Sequence, residues 1–354
     1  MRRIARLAGI ALLGLGLFAG GGTPALAKGK APDWSKFSEE EKEKRRAKTK
    51  ELLADLDKPR PKYNREVNAV LAKIVENGDP DALPHLVNML RKACTFETRA
   101  KKDWGTVLAD QEAEKAAGLR PDITGGGALR NAISALGKDR KRLSELVMPL
   151  INDPEPRVRG NVMRDMTLLK GIDGAFHKRA FELLDDESVI VRRSALCLLW
   201  HMCSDVPPRR TENPEPWKWY GGKVYAPGLT ERLIKIWHED VKAIRLELCH
   251  GLVEAGFRYP HVREAAFKRL REDEEAHVRA YLAREIASNG RDSLGGDISP
   301  EQGKEVVAEL KDILAGEKDA TVRKELEATI GAWEDTLAGK PKRGGGRKKR
   351  ERKD

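Results

Sequence analysis

Apolar residues fall along this chain on a short period nested inside a long one. With Val191 as reference, the same column holds Val158, Ile244, Val278 and Val322. The next residue is an arginine each time: Arg159, Arg192, Arg245, Arg279 and Arg323. Five places before the reference stands an acid, Asp153, Asp186, Glu239, Asp273 or Glu317. Eight places before it stands Leu150, Leu183, Ile236, Leu270 or Leu314. Apolar residues return four and eight places after it, as in Val278, Leu282, Ile286 and in Val322, Leu326, Ile330. This is one stripe of an amphipathic helix and not the alternation of a strand. The acid then falls in the turn before that helix, where a carboxylate accepts from free N–H groups and favours the positive end of the helix dipole. Asp153-Pro154 adds a proline where a first helical residue tolerates one.

A two-helix unit of this kind cannot bury its stripe alone, whereas several stacked units can. Val158 and Val191 lie 33 residues apart, and Ile244 and Val278 lie 34 apart; the intervals of 53 and 44 residues elsewhere carry insertions. On these acid–Val–Arg columns, over roughly residues 140–338, the chain resembles HEAT repeats, including the short HEAT-like repeats of phycobilisome-lyase relatives. The resemblance implies an all-α fold, an α-solenoid of antiparallel helix pairs. In it the turn acids and helix arginines (Asp153, Arg159, Asp186, Arg192, Glu239, Arg245, Asp273, Arg279, Glu317, Arg323) link one repeat to the next. Such a pattern specifies architecture and leaves function to grafted sites.

Taken in order, residues 1–27 read as a secretory signal peptide. Arg2, Arg3 and Arg6 precede an uncharged run from Leu7 to Gly20, and Ala25-Leu26-Ala27 supplies a small-residue cleavage site. The expectation is an exported chain starting at Lys28, periplasmic or extracellular. Residues 28–62 form a charged leader: Ser38 to Glu41 reads as a capping box opening a helix towards Leu56, ended by Pro59 and Pro61. Repeats are expected over 63–338. Val67, Val70, Leu71 and Ile74 form one stripe, Asn77-Gly78-Asp79-Pro80 a break, and Leu83, Leu86, Val87 and Leu90 the next stripe. Trp104 to Leu119 reads as a helix, Gly125-Gly126-Gly127 as a turn, and Leu129, Ile133 and Leu136 as a further helix whose acid is displaced to Asp122.

Two insertions interrupt the array. Residues 204–227 carry Pro207, Pro208, Pro214 and Pro216 with Trp217, Trp219, Tyr220 and Tyr225. Aromatic content argues against disorder. The segment reads either as a binding loop whose rings anchor a partner, or as a plug packed back on the helices. Residues 288–300, rich in Gly, Asp and Ser, read as a surface turn, and a last helix pair follows from Pro300 to about Ala338.

Charge changes the picture at the ends. The formal net charge is +11. Residues 339–354 hold nine basic residues against two acids, and residues 1–27 supply three more, so the body between is close to neutral. The tail, with Lys342, Arg343, Arg347, Lys348, Lys349 and Arg350, reads as a disordered basic segment attracted to anionic polymers or a membrane surface. Some DNA-repair glycosylases also resemble HEAT arrays, with a basic concave face that the near-neutral body here does not match.

Little else carries chemistry. Cys94, Cys197, Cys203 and Cys249 permit disulfides in an exported chain, most easily among the last three. His201, Cys203, His238, Cys249 and His250 form the best metal candidate, but without the spacing that zinc sites use. No nucleophile, dinucleotide or phosphate fingerprint occurs, and no cofactor or small-molecule substrate is implied. The expectation is a non-catalytic scaffold for a protein partner. The alternatives are an anionic-polymer binder acting through the tail and a phycobilin-lyase-like enzyme.

Overall fold

The structure, a computed structural model, describes residues 31–58, 65–94, 120–124, 128–167, 169–208, 211–239, 241–290 and 298–340. The expected signal peptide, the helix expected over Trp104 to Leu119, the triple glycine and the tail residues Lys342 to Arg350 lie outside the described residues. Among those described, the chain is mostly helical with a few short strands. It divides into two compact units, the first reaching Leu143 and the second starting at Ser144. One continuous repeat array from residue 63 was the expectation.

In the first unit, α1 (Glu39–Leu56) opens with the capping box: Ser38 accepts from the Glu41 N–H, and Glu41 accepts from the Ser38 N–H. This helix is docked. Arg45 Nη1 donates to the Asn77 carbonyl at 2.6 Å, and Asn77 Nδ2 donates back to the Arg45 carbonyl at 2.8 Å. Those bonds tie α1 to α2 (Arg65–Asn77), and α2 packs on α4 (Ala128–Leu136), as does the short α3 (Leu83–Asn88). The eight stripe residues from Val67 to Leu90 are all buried. At the break between the stripes, Gly78 takes a positive φ of 71° with Pro32 against it, a place where a side chain does not fit. Two strands absent from the expectation, β1 (Ala93–Cys94) and β2 (Arg120–Thr124), pair in parallel. Asp122 therefore sits on a strand and not in a helix turn.

In the second unit the reference column is buried throughout. Val158 is 4% exposed, and Val191, Ile244, Val278 and Val322 are fully buried. These residues lie on α6 (Pro156–Met166), α8 (Val189–Met202), α10 (Lys242–Gly256), α12 (Ala276–Glu285) and α14 (Ala320–Leu337), with α5 (Arg140–Ile151) before them. Each of α6 to α14 in that series packs on the next: α6 on α8, α8 on α10, α10 on α12, α12 on α14. Between them in sequence, α7 (Gly174–Glu182), α9 (Leu229–Glu239), α11 (Pro260–Glu272) and α13 (Pro300–Gly316) form a second set, in which α9 meets α11 and α11 meets α13. Two sets of helices thus enclose one apolar seam. Burying each large aliphatic of the stripe contributes roughly 1.5–3 kcal/mol.

Two details depart from the sequence reading. The helix after Asp153 begins at Pro156, so Pro154 lies in the turn and Pro156 is the proline of the first helical turn. In the last unit Ile313 is buried and Leu314 only half-buried, so the column eight before Val322 slips by one residue.

Candidate functional site

The turn acids do not cap their helices directly. Asp153 Oδ1 accepts from the Glu155 N–H, Asp186 Oδ1 from the Ser188 N–H and Asp273 Oδ1 from the Glu275 N–H, each at 2.9 Å. The cap residues are Glu155, Ser188 and Glu275 themselves. The acid therefore braces the turn two residues ahead of the cap, an Asx-type closure. In Asp186 and Asp273 the other oxygen reaches back to the helix pair before.

There it meets an arginine. Arg159 donates Nη1 to the Asp153 carbonyl of its own turn at 2.8 Å, and Nη2 to both oxygens of Asp186 at 2.9 and 2.7 Å. Arg279 repeats the arrangement, with Nη1 on the Asp273 carbonyl at 2.6 Å and a fork of Nε and Nη2 on Glu317 at 2.8 and 3.0 Å. Arg245 pairs with Asp273 at 2.9 Å. Arg192 and Arg323 donate to the carbonyls of their own acids, Asp186 and Glu317, each at 2.9 Å. The side chain of Glu239, the acid following Arg192, is outside the described set. Asp186, Asp273 and Glu317 are all under 9% exposed as side chains. Planar, charge-assisted bonds in such places are geometrically exacting and suit arginine, not lysine. The arginine beside Glu317 holds its carboxyl below the usual range.

The 204–227 insertion contains short strands that its composition did not announce. It forms a small sheet in the order β3 (Cys203–Ser204), β5 (Lys223–Tyr225), β4 (Trp219–Tyr220). The β4–β5 hairpin turns through Gly221 and Gly222, both at positive φ (56° and 93°), as a two-residue hairpin turn demands. Trp217 and Trp219 then clamp the sheet on α7. Trp219 Nε1 donates to the Ile172 carbonyl at 2.6 Å, and its ring meets His177 edge-on at 5.4 Å. The Trp217 ring lies 5.4 Å from Phe181, and its carbonyl rests where a side chain on Gly174 would project. Both tryptophans are half-buried. Burial lowers the His177 pKa to about 4, so the ring beneath Trp219 is held neutral.

Tyr220 and Tyr225 face elsewhere. With Tyr259 they line a cleft of about 460 Å³, completed by Ser204, Val206, Pro207, Pro208, Lys223, Val224 and Arg258. Lys223 reaches from β5 to the end of α8, where its amine donates to the Trp200 and His201 carbonyls. A cation in that position satisfies open carbonyls and the negative end of the helix. The Tyr220 hydroxyl accepts from the Glu215 N–H at 2.9 Å. Tyr259 precedes α11, with the Arg258 guanidinium 4.9 Å from its ring centre and the His261 ring stacked at 5.9 Å. Tyr259 and Arg258 were not singled out by sequence. They lie in a turn over 30 residues downstream of Tyr225, and only the fold brings the three tyrosines together.

The histidine and cysteine cluster does different work. His250 donates Nδ1 to Glu285 at 2.9 Å and Nε2 to Glu254 at 3.1 Å. Those two carboxylates raise its pKa to about 10, so it stands as an imidazolium between α10 and α12. His201 hydrogen-bonds through Nδ1 to the Cys197 carbonyl. Cys197, Cys203 and Cys249 are free thiols, so the pairing permitted by sequence is not formed among them. Burial pushes Cys197 and Cys203 up to about 12 and Cys249 higher still, which suits packing and not nucleophilic chemistry. Among the described residues no group of three or more His, Cys, Asp or Glu is placed to hold a metal ion, and no helix is long and apolar enough to cross a membrane.

No protein-family model, curated protein or solved structure matches this chain.

Proposed function

We propose that this chain is an exported, non-catalytic scaffold of the HEAT type, in which the helix pairs from Ser144 onward stack as an α-solenoid and hold a protein partner. The observation that carries the reading is the recurrent bracket. An arginine fixed to its own turn also grips the carboxylate of the next, as in Arg159–Asp186 and Arg279–Glu317. A contact that recurs with the repeat period is the device by which one-dimensional arrays propagate, and such arrays offer extended surfaces for partners. The partner-facing element is the 204–227 insertion, through Tyr220 and Tyr225, with Trp217 and Trp219 as its anchors. The basic tail adds an unspecific attraction to anionic polymer or lipid headgroups.

The test uses the full chain and the chain lacking 204–227 as bait in an envelope extract. A partner recovered by the first and lost by the second supports the reading. Recovery of nothing above background by either sinks it. Amino-terminal sequencing of the exported protein should begin at Lys28. A visible absorbance band on incubation with a bilin would favour the lyase alternative.

A further inference from the structure

We infer that the tyrosine cleft binds a short, extended, acidic and proline-bearing stretch of the partner. The inference rests on the scaffold reading above and names what that scaffold grips. Three of the chain's five tyrosines line this one cleft. Val206, Pro207 and Pro208 add apolar wall beside them. Val206, 40% exposed, is one of two large aliphatics left in water among the described residues. Exposed apolar surface beside tyrosines marks contact surface, since tyrosine offers a rigid ring and a polar tip at small entropic cost.

Size and chemistry narrow the occupant. About 460 Å³ lies within the range of small-ligand sites, roughly 300–1,000 Å³. It admits a few residues of extended chain and not a folded domain. Proline rings in a polyproline II segment seat on aromatic-lined grooves because that helix is already extended and loses little freedom on binding. A saccharide, with hydroxyls around every ring, would need many polar partners. Of the polar groups along this cleft, the Tyr220 hydroxyl already accepts from the Glu215 N–H, and the Lys223 amine already donates to the Trp200 and His201 carbonyls. Charge sets the sign. Lys223 and Arg258 line the cleft, and among the described residues no carboxylate does. A second hollow, between α11 and α13, is lined by Arg263, Arg271, Glu305 and Glu309 among others, where both signs occur and Arg271 already pairs with Glu309. Of these two hollows, the tyrosine cleft is the one whose charged lining carries a single sign.

The experiment is calorimetric titration of the full chain with a synthetic peptide of repeating Glu-Pro-Pro triplets. Lys-Pro-Pro and Glu-Ala-Ala peptides serve as controls. We expect saturable binding of the first and at least tenfold weaker binding of each control. Val206→Asp and Arg258→Glu, both at exposed positions, should each weaken the first peptide at least tenfold, Val206→Asp while leaving the melting midpoint unchanged. Equal binding of all three peptides, no binding of any, or binding indifferent to both variants overturns the inference; the peptide controls decide even if a variant is unstable. Binding of an anionic oligosaccharide or of phosphatidylglycerol vesicles that Arg258→Glu abolishes, with the peptide inert, also overturns it. If a partner is still captured by both variants while the peptide does not bind, the cleft assignment fails and the scaffold reading stands. If nothing is captured, the scaffold reading itself fails.

Discussion

Two neighbouring stretches of the second unit solve the same problem differently. From Val158 to Val191 the chain advances 33 residues, and the turn of the second is held to the helix of the first by Arg159 on Asp186. From Val191 to Ile244 it takes 53 residues, and the surplus becomes a small sheet clamped on α7 by Trp217 and Trp219. The first joint depends on two part-buried charges in fixed geometry. The second depends on aromatic contact, one indole hydrogen bond and a glycine that leaves room. Regular spacing allows one device to recur, whereas an insertion has to make its own fit.

The sharpest way to break that contrast is to remove the charge from one side of the bracket. Arg159→Ala takes the guanidinium from the part-buried Asp186 carboxylate, and should cost about 1.5–3 kcal/mol in urea unfolding. The double variant Arg159→Met, Asp186→Leu should recover most of that loss, because paired removal strands no charge. A loss below about 1 kcal/mol for Arg159→Ala would mean the bracket is ornamental.

Acid should act on the aromatic joint instead. His177 has a folded pKa of about 4, below its ordinary 6.5. The unfolded chain therefore takes up the proton first as pH falls. Its contribution to stability is intact above about pH 6.5, declines between 6.5 and 4, and amounts to roughly 3 kcal/mol once fully lost. Tryptophan emission should shift to the red over the same window as Trp219 loses its seat. His177→Gln should flatten both curves; unchanged slopes would remove His177 from the account.

Gly174→Ala tests the seat from the other side. A methyl group there would meet the Trp217 carbonyl at 1.5 Å, so the insertion backbone must lift. We expect a loss of about 1–3 kcal/mol, with fluorescence change at the insertion and the Arg159–Asp186 coupling untouched. The smallest effect belongs to Trp219→Phe, which keeps the ring and deletes the bond to the Ile172 carbonyl. It should cost about 1 kcal/mol and leave Glu-Pro-Pro binding within twofold, since the cleft is lined by Tyr220 and Tyr225 and not by Trp219.

Legibility in the sequence followed the range of the interaction. Val191 and its equivalents could be read as buried because a helical stripe is a local property, and α13 and α14 begin and end close to where Pro300 and Ala338 implied. The slip at Leu314 shows the limit of column counting where one apolar residue follows another. The strands at 203–225 are two or three residues long, too short for alternation to register, and Trp217 holds a positive φ of 61° that no residue type advertises. The three-tyrosine cleft was the least legible feature. It needs Tyr259, which reaches the insertion only through the packing of α8, α9, α10 and α11.

The bracket also makes the helix pairs interchangeable parts. Where Arg159, Arg245 and Arg279 meet Asp186, Asp273 and Glu317, one helix pair offers a guanidinium and the next a carboxylate. A chain shortened or lengthened by one such pair would still present the right socket to the right plug. On the repeat reading proposed above, growth by duplication and loss by deletion would be built into the joints themselves.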